Sequence, residues 1–199
     1  MSKKNPKKTV LLIVDVQKAI DNPEWCKYGN RNNPSAEDNM SAILKIWRQS
    51  GRQVIHVKHE SIEVNSTYRP GYIGCEFKEC VSPLDGELII IKHVNSAFIG
   101  TNLEAILIEA NTSHLVVFGV ITNNSVEATV RMAGNLGFDT YLVEDATFTF
   151  AKPDYRGHIR TAEEVHAMSL ANLANEYCKV ICTDELIKRI EDECNEINS

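Results

Sequence analysis

The sequence has no apolar run approaching the roughly 20 residues that a membrane-spanning helix needs, no CxxC pair among its six cysteines, and no surplus of positive charge. The first absence excludes an obvious transmembrane segment. Without paired spacing, Cys26, Cys75, Cys80, Cys178, Cys182 and Cys194 read as reduced thiols, most simply small buried hydrophobes, in a reducing compartment such as the cytoplasm. A formal net charge of −6 is the wrong sign for capturing a phosphate backbone or an anionic lipid surface, so neither nucleic acid nor membrane is an expected partner. The one basic cluster, Lys3, Lys4, Lys7 and Lys8, precedes the first apolar run and reads as a mobile, solvated tail over residues 1–8. That start superficially resembles a signal peptide, but Asp15 breaks the apolar run and no small-residue cleavage site follows. Repeats, low-complexity segments and linkers are also missing, which leaves a single domain over 1–199.

What is present is enough apolar material for a core, 43% of residues, in short runs rich in β-branched side chains. Runs at 10–14, 53–57, 88–91, 115–120, 140–143 and 180–181 read as strands buried on both faces. Helical spacing marks 36–49, 103–109, 126–136, 162–176 and 184–191. Ser35 and Thr101 stand as N-caps, and Gly51 and Gly137 as stops. Strand and helix alternate, which predicts an α/β, doubly wound, mostly parallel six-stranded sheet with helices on both faces. In such folds ligands sit outside the carboxyl ends of the strands. The long stretches 21–34 and 60–83 both follow strands and are expected to wall that region.

Two charged residues end apolar strands at that edge. Asp15 follows the apolar run 10–14, so poor solvation should raise its pKa towards values useful for accepting and returning a proton. Lys92 follows Leu88 to Ile91 and can pair with such a carboxylate. Each residue alone also has a structural explanation, as a hydrogen-bonding carboxylate and as a lysine reaching solvent. The third feature is LVVFGVITNNSVEATVRMAGNL at 115–136, where a buried strand turns sharply through Gly119 to Asn124 and a helix opens near Ser125. Free amides and the positive dipole end at a helix start favour a thiolate or an oxyanion. Ser125 or Thr122 could equally be a simple N-cap.

At these residues the chain resembles the isochorismatase-like, or cysteine hydrolase, family, which also contains nicotinamidases and N-carbamoylsarcosine amidases. The likeness runs through LLIVDVQ at 11–17, RNNPSAEDN at 31–39, VIHVKHES at 54–61, IIIKHVNSAFIGTNLE at 89–104, GVITNNSVEATVRMAGNLGFDTYLVEDAT at 119–147 and TAEEVHAMSLANL at 161–173. It implies that Asp15 and Lys92 belong to an Asp, Lys, Cys triad, with Ser125 in the place of the nucleophilic Cys. It further implies a cis peptide before Ile121, an oxyanion hole made by the amides of Ile121 and Ser125, and self-association into dimers, tetramers or larger rings.

Serine departs from the family pattern and is a poor nucleophile at neutral pH without a base. Either it replaces the Cys by deliberate substitution, the reading favoured by intact surroundings, or the natural protein has lost or changed its chemistry. With Cys restored, the expected activity is metal-independent hydrolysis of a small amide or related C–N carbonyl compound, with no cofactor. A vinyl-ether hydrolase working by general acid chemistry and a catalytically silent small-molecule-binding protein are the alternatives. Phe98 is a candidate apolar wall, with Gln17 and Asn124 as candidate polar contacts. Nicotinamidases of the family hold a metal through an Asp-x-His pair, which is missing after the second strand here. His56 and His59, three apart on an extended segment, point to opposite faces. A metal site is therefore not expected, and His166 reads as a core or capping histidine.

Overall fold

The computed structural model describes residues 8–197. β1 (Lys8–Val14) is buried from Val10 onward. Leu11 and Ile13 enter one core layer and Val10, Leu12 and Val14 the other, following the two-residue period of extended chain. Lys8, expected in the tail, belongs to this strand, its amide donating to the Asn111 carbonyl at 3.3 Å. Lys3, Lys4 and Lys7 lie outside the described residues.

The later strands are β2 (Val54–His59), β3 (Leu88–Lys92), β4 (Thr112–Val120), β5 (Asp139–Phe148), β6 (Lys152–Pro153), β7 (Ile159–Arg160) and β8 (Lys179–Ile181). Six of them form one sheet in the order β3-β2-β1-β4-β5-β8, every neighbouring pair parallel. On one face pack α1 (Ala36–Gln49), through Met40, Ile43, Leu44 and Trp47, and α5 (Thr183–Ile197), through Leu186 and Ile190. On the other pack α2 (Leu103–Glu109), α3 (Glu127–Asn135) and α4 (Ala162–Leu173). This is the expected doubly wound fold. The chain steps outward from β1 to β3, then returns to the far side of β1 as β4, so the order reverses between β1 and β4 and a crevice opens at their carboxyl ends. No helix among the described residues is long and apolar enough to cross a membrane.

Several boundaries differ from expectation for identifiable reasons. β5 runs to Phe148 rather than 143, through a register shift opposite Gly119 that leaves the polar Glu144 and Asp145 within the strand. Asn33 Nδ2 donates to the Glu144 backbone carbonyl at 2.8 Å, and the Asp145 carboxylate accepts from Thr183 N and Oγ1. α4 ends at Leu173 because the chain turns extended at Ala174 and left-handed at Asn175. It begins with a capping box between Thr161 and Glu164. Ser35 makes no capping bond, and the N-cap of α2 is Asn102 rather than Thr101, whose hydroxyl donates to the Ala97 carbonyl at 2.6 Å.

The approach of β1 to β4 depends on Gly119. A Cβ there would lie 2.1 Å from the Val14 carbonyl oxygen, and its φ of +147° is one that side chains rarely adopt. Gly119→Ala is therefore expected to lower the unfolding free energy by about 2–4 kcal/mol in urea titrations. Gly137→Ala, with φ of +85° but open space around the new methyl, should cost only about 1 kcal/mol. Equal costs would show that the β1–β4 contact is more yielding than its spacing indicates.

Candidate active site

Asp15 is the first residue beyond β1. It sits at φ +54°, a left-handed conformation that aspartate tolerates better than most residues. Its amide donates to the Val57 carbonyl at 3.0 Å and its own carbonyl accepts from Gln17 N at 2.8 Å, so the backbone is pinned on both sides. Lys92, the last residue of β3, is fully buried. Its ammonium donates to Asp15 Oδ2 at 2.6 Å, Val94 O at 3.1 Å and Ser125 Oγ at 3.2 Å. Three acceptors match the three N–H groups of a protonated lysine. Burial pushes the Asp15 carboxyl up and the Lys92 amine down, each opposed by the other's charge. Asp15 Oδ1 is buried without a hydrogen-bond partner.

Ser125 reaches this pair from the turn after β4. The Val120–Ile121 peptide is cis, a single π-type turn spans Thr122–Val126, and α3 starts at Glu127, one residue later than the expected start at 126. Neither Ser125 nor Thr122 serves as a cap: the Ser125 hydroxyl faces Lys92, and the Thr122 hydroxyl lies 2.8 Å from His166 Nδ1. Three side chains far apart in sequence thus meet where the strand order reverses.

The chain as a whole is similar to known proteins. A family model, the isochorismatase domain, matches residues 9–185. The chain belongs to the isochorismatase family. The isochorismatase family protein YrdC of Bacillus subtilis (strain 168) is 46% identical over 180 residues, covering 90% of this chain and 95% of that one. A solved structure from Chromobacterium violaceum ATCC 12472, described as a hydrolase of the isochorismatase family, superposes with a TM-score of 0.90 at 51% identity, covering 95% and 96% of the two chains. More distantly, Nicotinamidase 3 of Arabidopsis thaliana is 30% identical over 118 residues, 57% of this chain and 54% of its own.

The remaining candidates of this isochorismatase-family protein divide. Ile121 and Asn124 line a cavity of about 500 Å³ beside Ser125, together with Trp25, Tyr28, Phe150 and Lys152. The stretch 21–34 therefore does wall the region, although Asp15, Lys92 and Ser125 are not among the lining residues. Trp25 stacks on Phe150 with ring centroids 5.9 Å apart, an aromatic wall that composition alone did not reveal. Gln17 does not face this cavity as a free polar group. Its Nε2 donates to the His59 and Cys75 carbonyls at 2.9 and 3.0 Å, and its Oε1 accepts from His59 N at 2.8 Å, which staples the 60–83 stretch to β2. Phe98 stacks on Phe138 at 6.1 Å within the core layer under α2 and α3 rather than lining this cavity.

The histidines are in separate surroundings. His56 pairs with Glu87 at 2.8 Å, whereas His59, paired in register with Lys92, packs its ring edge on Tyr68. Burial and the nearby Lys92 charge push the His59 imidazole down to about 4, which leaves it neutral at neutral pH. Among the described residues, no group of three or more His, Cys, Asp or Glu side chains stands together to hold a metal.

The desolvated pair makes a sharp energetic prediction. Lys92→Met leaves a buried carboxylate alone and should cost about 3–5 kcal/mol in urea unfolding at pH 7. The double variant Asp15→Leu/Lys92→Met, which removes both charges, should recover a large part of that loss. A double variant no more stable than Lys92→Met would show that shape rather than charge sets the cost.

Proposed function

We propose that the protein is a metal-independent hydrolase of a small amide or related C–N carbonyl compound, working through Asp15, Lys92 and the side chain at position 125. One observation carries this reading: a buried ammonium touches both Asp15 Oδ2 and Ser125 Oγ, while Asp15 Oδ1 is left without a partner. Lys92 holds negative charge near the nucleophile, and Oδ1 is available to take the nucleophile's proton. Residue 125 then bonds to the carbonyl carbon, and the carbonyl oxygen gains the electron pair, which the amides of Ile121 and Ser125 would receive. The C–N bond breaks as the proton on Asp15 passes to the departing nitrogen. Water adds in the second half, giving its proton to Asp15, and the bond to residue 125 breaks to release the acid as that proton passes from Asp15 back to the side chain at 125. No cofactor is required, because side chains supply base, charge and nucleophile.

The flanking cavity favours a small substrate. Its volume of about 500 Å³ and its Trp25, Tyr28 and Phe150 walls suit a compact, flat molecule. The amide preference is supported by the relative named as a nicotinamidase. Serine at 125 is the weaker nucleophile, so this form is read as impaired relative to the thiol that the family places there. One observation favours a second reading: burial that raises the Asp15 carboxyl would help it to act as a general acid on a vinyl ether, without any nucleophile.

Small amides, ureas, carbamates and a vinyl ether assayed against the parent, Ser125→Cys and Ser125→Ala separate these readings. Amide turnover by Ser125→Cys should exceed the parent by about tenfold or more. Ser125→Ala should be inert, and mass spectrometry should find an acyl adduct on residue 125. Vinyl-ether turnover that survives Ser125→Ala would install the acid mechanism instead. Binding without turnover by any form would reduce the protein to a binding module.

A further inference from the structure

The turn that carries Ser125 is attached to α4 at two adjacent points. Thr122 is fully buried, with its hydroxyl 2.8 Å from His166 Nδ1. Its backbone carbonyl accepts from Ser169 Oγ at 3.2 Å. His166 and Ser169 are three residues apart and so share one face of α4, and both are buried polar residues on a helix whose neighbours are mostly apolar. Ser169 Oγ also lies 2.6 Å from Glu127 Oε2, at the start of α3, so one hydroxyl proton is divided between a carboxylate and the turn's carbonyl. Glu127 is held in turn by Arg131 at 2.9 Å. The start of α4 is fixed by its Thr161–Glu164 capping box. The polar groups of Thr122 thus find partners on α4, a helix that contributes nothing to the reacting trio.

We infer that His166 is a positioning residue: through Thr122 it sets the turn that aims the side chain at position 125 towards Lys92 and Asp15. The chemistry fits a neutral imidazole. A neutral ring accepts the Thr122 hydroxyl proton at Nδ1, or donates from Nδ1 to the hydroxyl oxygen, and either form fixes the threonine rotamer. Burial lowers the His166 pKa, which keeps the ring neutral at neutral pH. Ser169 fixes the neighbouring carbonyl, so rotation of the Thr122 peptide would break two hydrogen bonds in a buried space, where unmade bonds are costly. Small displacements matter here, since a nucleophile moved by about 1 Å can lose about a hundredfold in rate.

This inference rests on position 125 being the reaction centre, but its test does not require the hydrolase reading to hold. In a Ser125→Cys background, the rate and pH dependence of alkylation by iodoacetamide report how the introduced thiol sits against Lys92 and Asp15, whatever the substrate. His166→Leu removes the partner of Thr122. His166→Asn keeps a polar atom near the Nδ1 position, and Thr122→Val removes the same hydrogen bond from the other side at nearly constant volume. We expect His166→Leu and Thr122→Val to slow alkylation at pH 7 by about tenfold and to move its pH midpoint upward, with His166→Asn within about threefold of the background. Alkylation rates and midpoints unchanged in Thr122→Val would overturn the inference. So would equal losses in His166→Asn and His166→Leu, which would mark the histidine as packing alone. If His166→Leu does not fold, Thr122→Val against Thr122→Ser decides, because only the valine lacks the hydroxyl. Failure of amide hydrolysis with these alkylation differences intact would sink the proposed substrate class and leave the positioning role standing.

Discussion

A salt bridge taken wholly out of water is the constraint around which this protein is built. The Asp15–Lys92 contact joins the ends of β1 and β3, two strands separated by β2, and both partners are almost completely buried. Such a pair gives up hydration that its mutual attraction barely repays, and an apolar pair of similar volume would often be more stable. Its persistence therefore has to be understood from what the charges do. Lys92 directs all three of its N–H groups, one to Asp15, one to a backbone carbonyl and one to Ser125. The third bond ties the ion pair to position 125, where under the proposed function it would receive developing negative charge.

The sheet makes that geometry possible. Parallel strands bring their carboxyl ends to one edge, and the reversal of strand order beside β1 keeps any helix from covering that edge. Close approach of β1 and β4 then requires the missing side chain at Gly119, whose place is taken by the Val14 carbonyl. One residue along, Asp15 leaves the strand in a left-handed conformation and turns its carboxylate inward. Gln17 reinforces the exit by holding the backbone at His59 and Cys75. The backbone that presents Asp15 is thus fixed by strand geometry and by Gln17.

This hierarchy explains what could be read from the sequence. Asp15 and Lys92 were legible because each is a charge set at the end of an apolar run, a pattern that locates a residue at the rim of a buried parallel sheet. Ser125 was legible because a glycine-containing turn follows a buried strand. The roles of Gln17 and Phe98 were not legible, since what decides them is a partner far along the chain: the carbonyl of Cys75 for one, the ring of Phe138 for the other. The full length of β5 was hidden by Glu144 and Asp145, which look like loop residues until the Thr183 groups that hold the Asp145 carboxylate are known. The pairing of Thr122 with His166 spans 44 residues and leaves no periodic trace, so the layer behind the turn was invisible in the same way. Patterns within a strand or helix can be read locally, whereas hydrogen bonds between elements depend on the finished fold.

The two oxygens of Asp15 then bear on why a serine can occupy this position without the site collapsing. With Oδ2 committed to Lys92, a thiol or hydroxyl at 125 meets a carboxylate whose other oxygen is buried. For a thiol, proximity to the ammonium is enough to favour the ionised form. A hydroxyl ionises far less readily, so in the proposed mechanism the ammonium alone does not suffice and proton transfer to Oδ1 would have to accompany attack. The same carboxylate arrangement therefore serves either side chain geometrically but asks more of Asp15 when the nucleophile is oxygen. Raising the Asp15 pKa by burial answers part of that demand, because a stronger base accepts the proton more readily, and the lysine sets the limit by stabilising the charged form.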